Sequence, residues 1–469
     1  MPVNSFDDYP MSWKPDLSTL TGPKYTALAE LLERDIKSGK LKAGTKLPPQ
    51  RELADFLDLN PSTIYKTYRL CGQKGLLCTS VGNGTYVSSD AAADPVLLCG
   101  KEDPRMIEMG AIVPFVTCNQ IVKEYTELMM KRPDALNLFS YGAPEGTLRQ
   151  RKAGVAWLQK SVQESSDQEA AFYTDTEHIV LAAAGQNGIT AALGACFETN
   201  DKIGTEPMTY PGVKTAAKLF GIHLLPVRSH DHELTEEGIR YAAQSENIKG
   251  LYVIPDYQNP TSHTMSLETR KMIAAVAAEE NLLVIEDGIN SLLAEVPLPP
   301  IASFAPEQVI HISSLSKTVS PGLRTAFVHV PDRFRERLVT ALYSMNICVP
   351  PLLATVSAAL IEDGAADRIL AERKKGIMER NRIVDQILEG FVVPSGSTSP
   401  LRLVQLPHFF TGKSFEICAG QAGVEVYGAE RFFVGNRTPE KTVRISVTTP
   451  PSAEILTEGL ERLQVLLRQ

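Results

Sequence analysis

Cysteine is scarce in this chain, and its few cysteines show no paired spacing. The seven cysteines are scattered over 469 residues, and none belongs to a Cys-x-x-Cys pair. An odd, scattered set predicts neither a disulfide framework nor a zinc site. We therefore expect no bound metal and a reducing compartment, the cytoplasm.

Long hydrophobic runs and a targeting pattern are also missing. The longest apolar stretches, such as Leu282 to Ile285, are far too short to cross a bilayer. Residues 1–10 lack a basic region followed by an apolar stretch, so they do not resemble a signal peptide. We expect no association with a membrane.

The chain as a whole lacks the positive charge that would attract nucleic acid. Its formal net charge is -8, yet the segment from Lys24 to Lys74 carries about ten basic residues against about six acidic ones. This asymmetry suggests a local polyanion-binding module. From charge alone, a chance distribution of these residues explains the asymmetry equally well.

Length and composition indicate a globular protein with several domains. A chain of 469 residues allows roughly two to four domains. Hydrophobic residues make up 43% and charged residues 22%, which is typical of proteins that bury large cores.

Three helices and a hairpin are predicted in the first ninety residues. Apolar residues recur at helical spacing from Pro23 to Ser38, and a second helix begins near Gln50. Asn60-Pro61 supplies an N-cap and a proline at the first position of a third helix. Two short strands around a glycine-rich turn then form a hairpin. This order predicts a winged helix, whose third helix can enter a major groove.

The stretch from Ser38 to Val87 resembles the GntR-type DNA-binding domain. The resemblance implies that Arg51 contacts a phosphate or a guanine, that the third helix faces the groove, and that the wing tip lies beside it. The DNA-binding residues implied are Arg51, Asn60, Ser62, Thr63, Tyr65, Lys66, Asn83 and Gly84. Many members carry arginines where this chain has Pro61 and Tyr65, which leaves Arg51 as the candidate for reading guanine. A winged helix used for protein contacts is the alternative.

The chain divides into two domains and a linker. We predict a DNA-binding domain over residues 12–88, a linker over 89–105 and a large domain over 106–469. The large domain comprises a large part over about 145–345 and a small part from 106–140 and 350–469.

The large domain alternates short apolar runs with helix-length segments, which predicts an α/β fold with a mainly parallel sheet covered by helices. The runs are "HIVLAAAG", "DKIGTE", "GLYVIPD", "LLVIED", "QVIHISS" and "RTAFVHV". Ligands of such sheets bind beyond the carboxyl ends of the strands.

Residues with useful chemistry follow these runs. A small-residue turn at residues 184–187 opens a helix and suits a phosphate. An aromatic ring, an amide, a buried carboxylate and a serine–lysine–arginine group come next in the chain: Tyr210, Asn259, Asp287, Ser314, Ser316, Lys317 and Arg324. A partly desolvated lysine forms imines with aldehydes, and serines with arginine bind phosphate esters. Taken singly, each has an ordinary alternative as a helix cap, a surface lysine or an ion pair.

Their order closely resembles class I aminotransferases of fold type I, over roughly residues 106–469. The resemblance implies that Lys317 forms a Schiff base with pyridoxal 5'-phosphate and that Asp287 pairs with the pyridine nitrogen. Tyr210 would stack on the ring, and Asn259 would donate to the phenolic oxygen. The other cofactor contacts implied are Gly185, Gln186, Ser314, Ser316 and Arg324.

The same resemblance implies a dimer, a substrate contact and one departure. Tyr141, in "YGAPEG", would reach the phosphate of the neighbouring subunit of a homodimer. Arg444, in "VRISVT", would bind the α-carboxylate of an amino acid. Close relatives carry a tyrosine where this chain has Ile289, so a donor to the phenolic oxygen is lost and catalysis is expected to be weak.

A GntR-type domain followed by an aminotransferase-like domain is the arrangement of the MocR regulators. It implies a transcription regulator that binds double-stranded DNA and responds to pyridoxal phosphate, alone or joined to an amino acid or amine effector. Two alternatives stay open: a working aminotransferase that acts on an α-amino acid, and a repressor whose large domain is only a dimerisation scaffold.

Overall fold

The computed structural model describes residues 11–17, 22–41, 45–73, 76–80, 84–87, 105–163, 174–435 and 440–469. The predicted wing-tip residue Asn83 and most of the predicted linker lie outside these ranges.

The N-terminal unit is a winged helix. Its elements are α1 (Lys24–Lys37), α2 (Gln50–Phe56), α3 (Pro61–Gln73), β1 (Leu77–Ser80) and β2 (Gly84–Val87). The side chain of Asn60 caps α3 as predicted, because its Oδ1 accepts a hydrogen bond from the Ser62 amide at 2.9 Å. The two strands pair antiparallel, and Trp13, Leu28, Leu53 and Ile64 are buried in the core between the helices. This packing buries one side of α3 and leaves Ser62, Tyr65 and Lys66 exposed.

The second unit contains the remaining helices and strands. Its helices are α4 (Asn119–Met130), α5 (Leu148–Gln163), α6 (Gly185–Cys196), α7 (Pro211–Phe220), α8 (Glu236–Gln244), α9 (Leu267–Glu279), α10 (Leu315–Thr318), α11 (Asp332–Asn346), α12 (Pro351–Glu362), α13 (Ala365–Ile387), α14 (Gly412–Gln421) and α15 (Ala453–Leu467). Its strands are β3 (Ile107–Glu108), β4 (Ile179–Ala182), β5 (Lys202–Thr205), β6 (His223–Pro226), β7 (Ser229–His230), β8 (Glu233–Leu234), β9 (Gly250–Val253), β10 (Leu283–Asp287), β11 (Val309–Ser314), β12 (Ala326–His329), β13 (Leu401–Gln405), β14 (Val424–Glu425), β15 (Tyr427–Gly428) and β16 (Thr442–Ser446).

Seven of the described strands form one large sheet in the order β4-β12-β11-β10-β9-β5-β6. Strand β12 is antiparallel to both neighbours, and the other pairings are parallel. The predicted mainly parallel sheet is therefore confirmed, and all six predicted runs are strands in it. None of the predicted runs corresponds to the edge strand β6.

Both faces of the large sheet are covered, which explains why its strands read as continuous apolar runs. Strands β4, β10 and β11 are buried along their whole length. One core packs α6, α7 and α11 against one face, and a larger core fills the other face and extends into the small part. In the small part, β13, β16 and β15 form an antiparallel sheet.

A buried ion pair braces the large part. Arg270 of α9 and Asp256 are fully buried, with 2.7 Å between Nη2 and Oδ1. Asp256 also accepts a hydrogen bond from the Ser291 hydroxyl at 2.6 Å. A buried charge is tolerated when it is paired and hydrogen-bonded, so the loss of either partner is costly.

We expect Asp256→Asn to lower the free energy of unfolding by about 3 kcal/mol, because it leaves the Arg270 charge buried without its counter-charge. Urea denaturation checks this. The control is Glu127→Ala, which breaks the exposed pair with Lys123 and should cost about 0.5 kcal/mol or less. Equal losses in the two variants would contradict the prediction.

Candidate cofactor and DNA sites

Most of the predicted site residues lie at one edge of the large sheet, where its parallel strands end. Parallel strands β4, β5, β9, β10 and β11 present their carboxyl ends at the same edge of the sheet, and β12 begins there. Gly185 follows β4, Tyr210 follows β5, Asp287 ends β10 and Ser314 ends β11. Asn259 lies in a loop beyond β9, whose last residue is Val253, rather than directly at the strand end as predicted.

Asp287 is a buried carboxylate whose two oxygens differ in their hydrogen bonding. Its side chain is buried, and Oδ2 accepts a hydrogen bond from the Tyr252 hydroxyl at 2.8 Å. Oδ1 is buried and finds no hydrogen-bond partner among the described residues. Burial raises the pKa of Asp287 to about 6, although the Tyr252 hydrogen bond and, to a lesser extent, the Ile289 backbone amide oppose the shift. A donor facing Oδ1 would remove the cost of this orphaned oxygen.

Lys317 has the electrostatic setting of a nucleophilic amine. Burial, together with the nearby Arg444 and Arg324, lowers the pKa of Lys317 to about 8. Its Nζ donates a hydrogen bond to the carbonyl oxygen of Ile112. A lowered pKa raises the fraction of unprotonated amine at neutral pH, and this form attacks an aldehyde.

The start of α6 forms a cradle suited to a phosphate. The first amides of a helix lack intrahelical partners and attract anions. Gly185 opens α6, and a Cβ there would sit 3.6 Å from Cβ of Ser314 and 3.7 Å from Cδ1 of Ile289, so the missing side chain keeps this space open. Arg324 is exposed and its Nη2 donates to the Ala183 carbonyl at 3.4 Å. An anion therefore meets a helix terminus and an arginine at one place.

Tyr210 is held by its neighbours. It precedes α7, and a Cβ on Gly212 would lie 2.3 Å from its ring and 2.2 Å from Oε1 of Gln186, so only glycine fits there. Nε2 of Gln186 donates to the Gly212 carbonyl at 3.0 Å, whereas its buried Oε1 has no partner among the described residues. Burial raises the pKa of Tyr210 to about 12, and Asp287 contributes to the shift, so the ring lies within reach of the carboxylate's charge.

Arg444 lies on β16 and faces the same site from the small part. Its Nη1 donates to Oδ1 of Asn259 at 2.7 Å, and its guanidinium lies over the rings of Phe432 and Tyr427, at 4.8 and 5.2 Å from their centroids. Burial lowers the pKa of Arg444 to about 10. Its buried Nε has no partner in the described part of the chain. Such a desolvated guanidinium binds a carboxylate strongly.

A segment that the sequence analysis missed touches both cations. We name residues 110–112 the strap. The Gly110 carbonyl accepts a hydrogen bond from Nη2 of Arg444, and the Ile112 carbonyl accepts one from Lys317. Oε1 of Glu108 accepts bonds from the amides of Gly110 and Ala111 at 2.6 and 2.8 Å. The strap therefore occupies donors of both Lys317 and Arg444.

Tyr141 lies apart from the other predicted residues, and Ser316 has a structural partner of its own. Tyr141 is 84% exposed, so it belongs to the surface of this subunit rather than to the cluster around Lys317. Ser316 is buried and its hydroxyl accepts from Ser314 at 3.0 Å, which serves the start of α10.

Tyr252 and Glu206 were also missed. Both are buried side chains close to Asp287. Burial raises the pKa of Glu206 to about 7. Tyr252 lies inside an apolar strand and reads as a core aromatic, so the sequence offers no signal for it.

The predicted DNA-binding residues that the structure describes are accessible on the winged helix. Arg51, Asn60, Ser62, Tyr65, Lys66 and Gly84 are exposed, and Thr63 is half-buried. Arg51 and Gly84 line one groove together with Lys46, which the sequence analysis missed. Lys46 pairs with Tyr86 of β2 through a β-bridge, which anchors it beside the wing. This groove brings the cations Arg51 and Lys46 beside the wing, where a polyanion would meet them.

The residues present fit pyridoxal phosphate. The orphaned Oδ1 of Asp287 suits a protonated ring nitrogen, and the lowered pKa of Lys317 suits imine formation. The open cradle at Gly185 with Arg324 suits a phosphate. Within the described ranges, no group of three or more metal-ligating side chains lies together, and no helix there combines the length and apolarity of a membrane span.

Family models match both parts of the chain. The family described as aminotransferase class I and II matches residues 114–463, and bacterial regulatory proteins, gntR family, matches residues 24–87. The HTH-type transcriptional regulator YdeF of Bacillus subtilis is 44% identical over 467 residues, with 100% of this chain and 99% of that protein covered. The HTH-type pyridoxine biosynthesis transcriptional regulator PdxR of Corynebacterium glutamicum is 23% identical over 368 residues, with 77% of this chain and 78% of that protein covered.

Solved aminotransferases share the fold of the large domain. An archaeal alanine:glyoxylate aminotransferase superposes with a TM-score of 0.70 at 20% identity, covering 77% of this chain and 91% of that chain. The kynurenine aminotransferase of Pyrococcus horikoshii gives a TM-score of 0.69 at 20% identity, covering 78% and 91%. The predicted fold type and the predicted regulator architecture are therefore both confirmed. The chain belongs to the MocR-type regulators, in which a gntR-family DNA-binding domain precedes a pyridoxal-phosphate-dependent aminotransferase domain of class I and II.

Proposed function

We propose that this regulator acts in the cytoplasm as a homodimer that binds operator DNA and senses pyridoxal phosphate together with an amino acid or amine. The observation that carries the proposal is the strap: one segment occupies both the cofactor lysine and the arginine that would bind a carboxylate.

The residues around Lys317 would divide the work of holding the cofactor. Bound pyridoxal phosphate supplies an aldehyde that condenses with amines and a ring that withdraws electrons from the attached carbon. Oδ1 of Asp287 would accept a hydrogen bond from the protonated ring nitrogen, Tyr210 would cover the ring, and Asn259 would face its phenolic oxygen. The phosphate group would lie at the start of α6, with Gly185, Gln186, Ser314 and Arg324 around it.

Ligand binding at this site competes with the strap. A carboxylate that binds Arg444 would compete with the Gly110 carbonyl for the same guanidinium. An aldehyde that reacts with Lys317 would compete with the Ile112 carbonyl for the same amine. Ligands that displace these carbonyls favour a second position of the strap, which is the differential affinity a sensor requires. The strap follows the predicted linker in the sequence, so its movement would be passed toward the DNA-binding domain.

Exposed apolar side chains support a homodimer. Leu136, Phe139 and Tyr141 are 84%, 65% and 84% exposed within six residues of chain. Contiguous apolar side chains of this size favour a protein partner. A second copy of the chain would cover them and bring Tyr141 toward the neighbouring phosphate, as the family resemblance implies.

One observation also favours a working aminotransferase acting on an α-amino acid. Lys317, Asp287 and Arg444 are brought together, and the lowered pKa of Lys317 favours the unprotonated amine that such catalysis uses. Purified protein incubated with pyridoxal phosphate and amino acids separates the readings. Sustained keto-acid production supports the enzyme, a bound chromophore without production supports the sensor, and no chromophore indicates a scaffold.

We expect Lys317→Ala to abolish the visible absorbance that wild-type protein gains with pyridoxal phosphate, because the only amine assigned to the aldehyde is removed. Absorption spectra after gel filtration measure this. Lys218→Ala, which removes an exposed lysine of α7, should leave the spectrum unchanged. Wild-type absorbance in Lys317→Ala would overturn the assignment of the site.

We expect Ile289→Tyr to lower the pH at which the bound cofactor changes colour by about one unit. Ile289 borders the cradle at Gly185, and a hydroxyl donated to the phenolic oxygen would weaken that oxygen's hold on the proton at the Lys317 nitrogen. A pH titration of absorbance measures the shift. Ile289→Phe matches the bulk without the hydroxyl, so identical titrations of the two variants would contradict the prediction.

We expect Arg51→Ala and Lys66→Ala each to weaken DNA binding and to reduce the slope of log affinity against log salt by about one. Both side chains are exposed on the winged helix. Fluorescence anisotropy with duplex DNA at several salt concentrations checks this, with Lys218→Ala as the control. An unchanged slope would remove that side chain from the phosphate contacts.

A further inference from the structure

Tyr252 is a buried tyrosine that none of the assignments above uses. It lies in β9, an interior strand of the large sheet, with 0% of its surface exposed. In the sheet register it pairs with Ile285 of β10. Side chains two residues apart on a strand share a face, so Asp287 lies on the same face as Tyr252, one step nearer the strand end. This placement brings the phenol to the carboxylate.

The Tyr252 contact makes the two oxygens of Asp287 different. Oδ2 accepts the Tyr252 hydroxyl at 2.8 Å, whereas Oδ1 is buried without a partner among the described residues. A carboxylate on a freely rotating side chain offers either oxygen to a ligand. Here the phenol fixes the rotation, and Oδ1 is the oxygen left to accept a new donor.

We infer that Tyr252 is a positioning residue of the cofactor site, whose hydroxyl holds Oδ2 of Asp287 so that Oδ1 faces the ring nitrogen of pyridoxal phosphate. The inference rests on the proposed cofactor role of Lys317 and Asp287. Tyr252 would not touch the cofactor, and it acts only through the carboxylate.

The charges around Asp287 decide the sign of the effect. Burial raises its pKa to about 6, and among the opposing influences the Tyr252 hydrogen bond is the largest, ahead of the Ile289 backbone amide, His311 and Lys317. Glu206, at the end of β5, and Tyr210 also face this region. Loss of the phenol therefore raises the pKa of Asp287 further, so the carboxylate becomes protonated at a higher pH and accepts the ring's N–H less well.

The experiment compares Tyr252→Phe with Tyr257→Phe in the full-length protein. Tyr257 is also buried, at 2% exposure, and its hydroxyl bonds Thr398 at 2.7 Å rather than Asp287. Both variants remove one buried hydroxyl and keep the ring. For each protein, the dissociation constant of pyridoxal phosphate is measured by absorbance from pH 5 to pH 9, and urea denaturation records the stability.

We expect Tyr252→Phe to bind the cofactor about tenfold more weakly at neutral pH, in line with the loss of a hydrogen bond to a charged group. The pH below which affinity declines should rise in this variant and stay at the wild-type value in Tyr257→Phe. A merely structural role would lower stability in both variants without moving the pH profile of either.

The outcomes separate this inference from the proposed function. Wild-type protein that binds the cofactor, with Tyr252→Phe giving the same pH profile, overturns the positioning role alone. Wild-type protein that gains no absorbance, or a Lys317→Ala variant that keeps it, overturns the cofactor assignment itself. A pH profile that shifts in Tyr252→Phe but not in Tyr257→Phe supports both the positioning role and the cofactor assignment.

Discussion

The large domain depends on where its buried charges find partners. Asp287 ends a strand that is covered on both faces, and Tyr252 satisfies only one of its oxygens. An isolated carboxylate at such depth is costly unless a donor completes its shell. In the proposed cofactor site this shell is incomplete, because the Tyr252 hydroxyl holds Oδ2 of Asp287 while Oδ1 remains open to a new donor.

The same reasoning applies to the cations that face Asp287. Lys317 and Arg444 each have a lowered pKa, chiefly because burial disfavours their charged forms, and Arg444 adds to the shift of Lys317. Main-chain carbonyls of the strap and the amide of Asn259 satisfy part of their hydrogen-bonding capacity without supplying negative charge. The site is therefore electrostatically short of anions, which the phosphate and carboxylate groups of ligands would supply.

Much of this arrangement could be predicted from the sequence because it rests on short-range patterns. A buried apolar run followed by a chemically distinct residue identifies a strand end, and this rule placed Gly185, Asp287, Ser314 and Lys317 at one edge of the sheet. Asn60 before a proline likewise marked the start of α3.

What escaped prediction depends on contacts between distant segments. Tyr252 is an ordinary strand aromatic until the register places it beside Asp287. The strap consists of glycine, alanine and isoleucine acting through backbone carbonyls, which no side-chain pattern reveals. The short strands β3 and β14 pair across more than three hundred residues, which no local pattern reveals. The edge strand β6 is only half-buried, so it lacks a strong apolar signature.

The strap also gives the molecule a built-in set point. Because its carbonyls already occupy Lys317 and Arg444, a small molecule must outcompete an internal occupant whose effective concentration is fixed by the chain. The apparent affinity is then the intrinsic affinity reduced by the fraction of molecules in which the strap has let go. Substitutions in and around Glu108, which braces the strap, can therefore retune the ligand level at which the response begins while leaving every ligand contact intact.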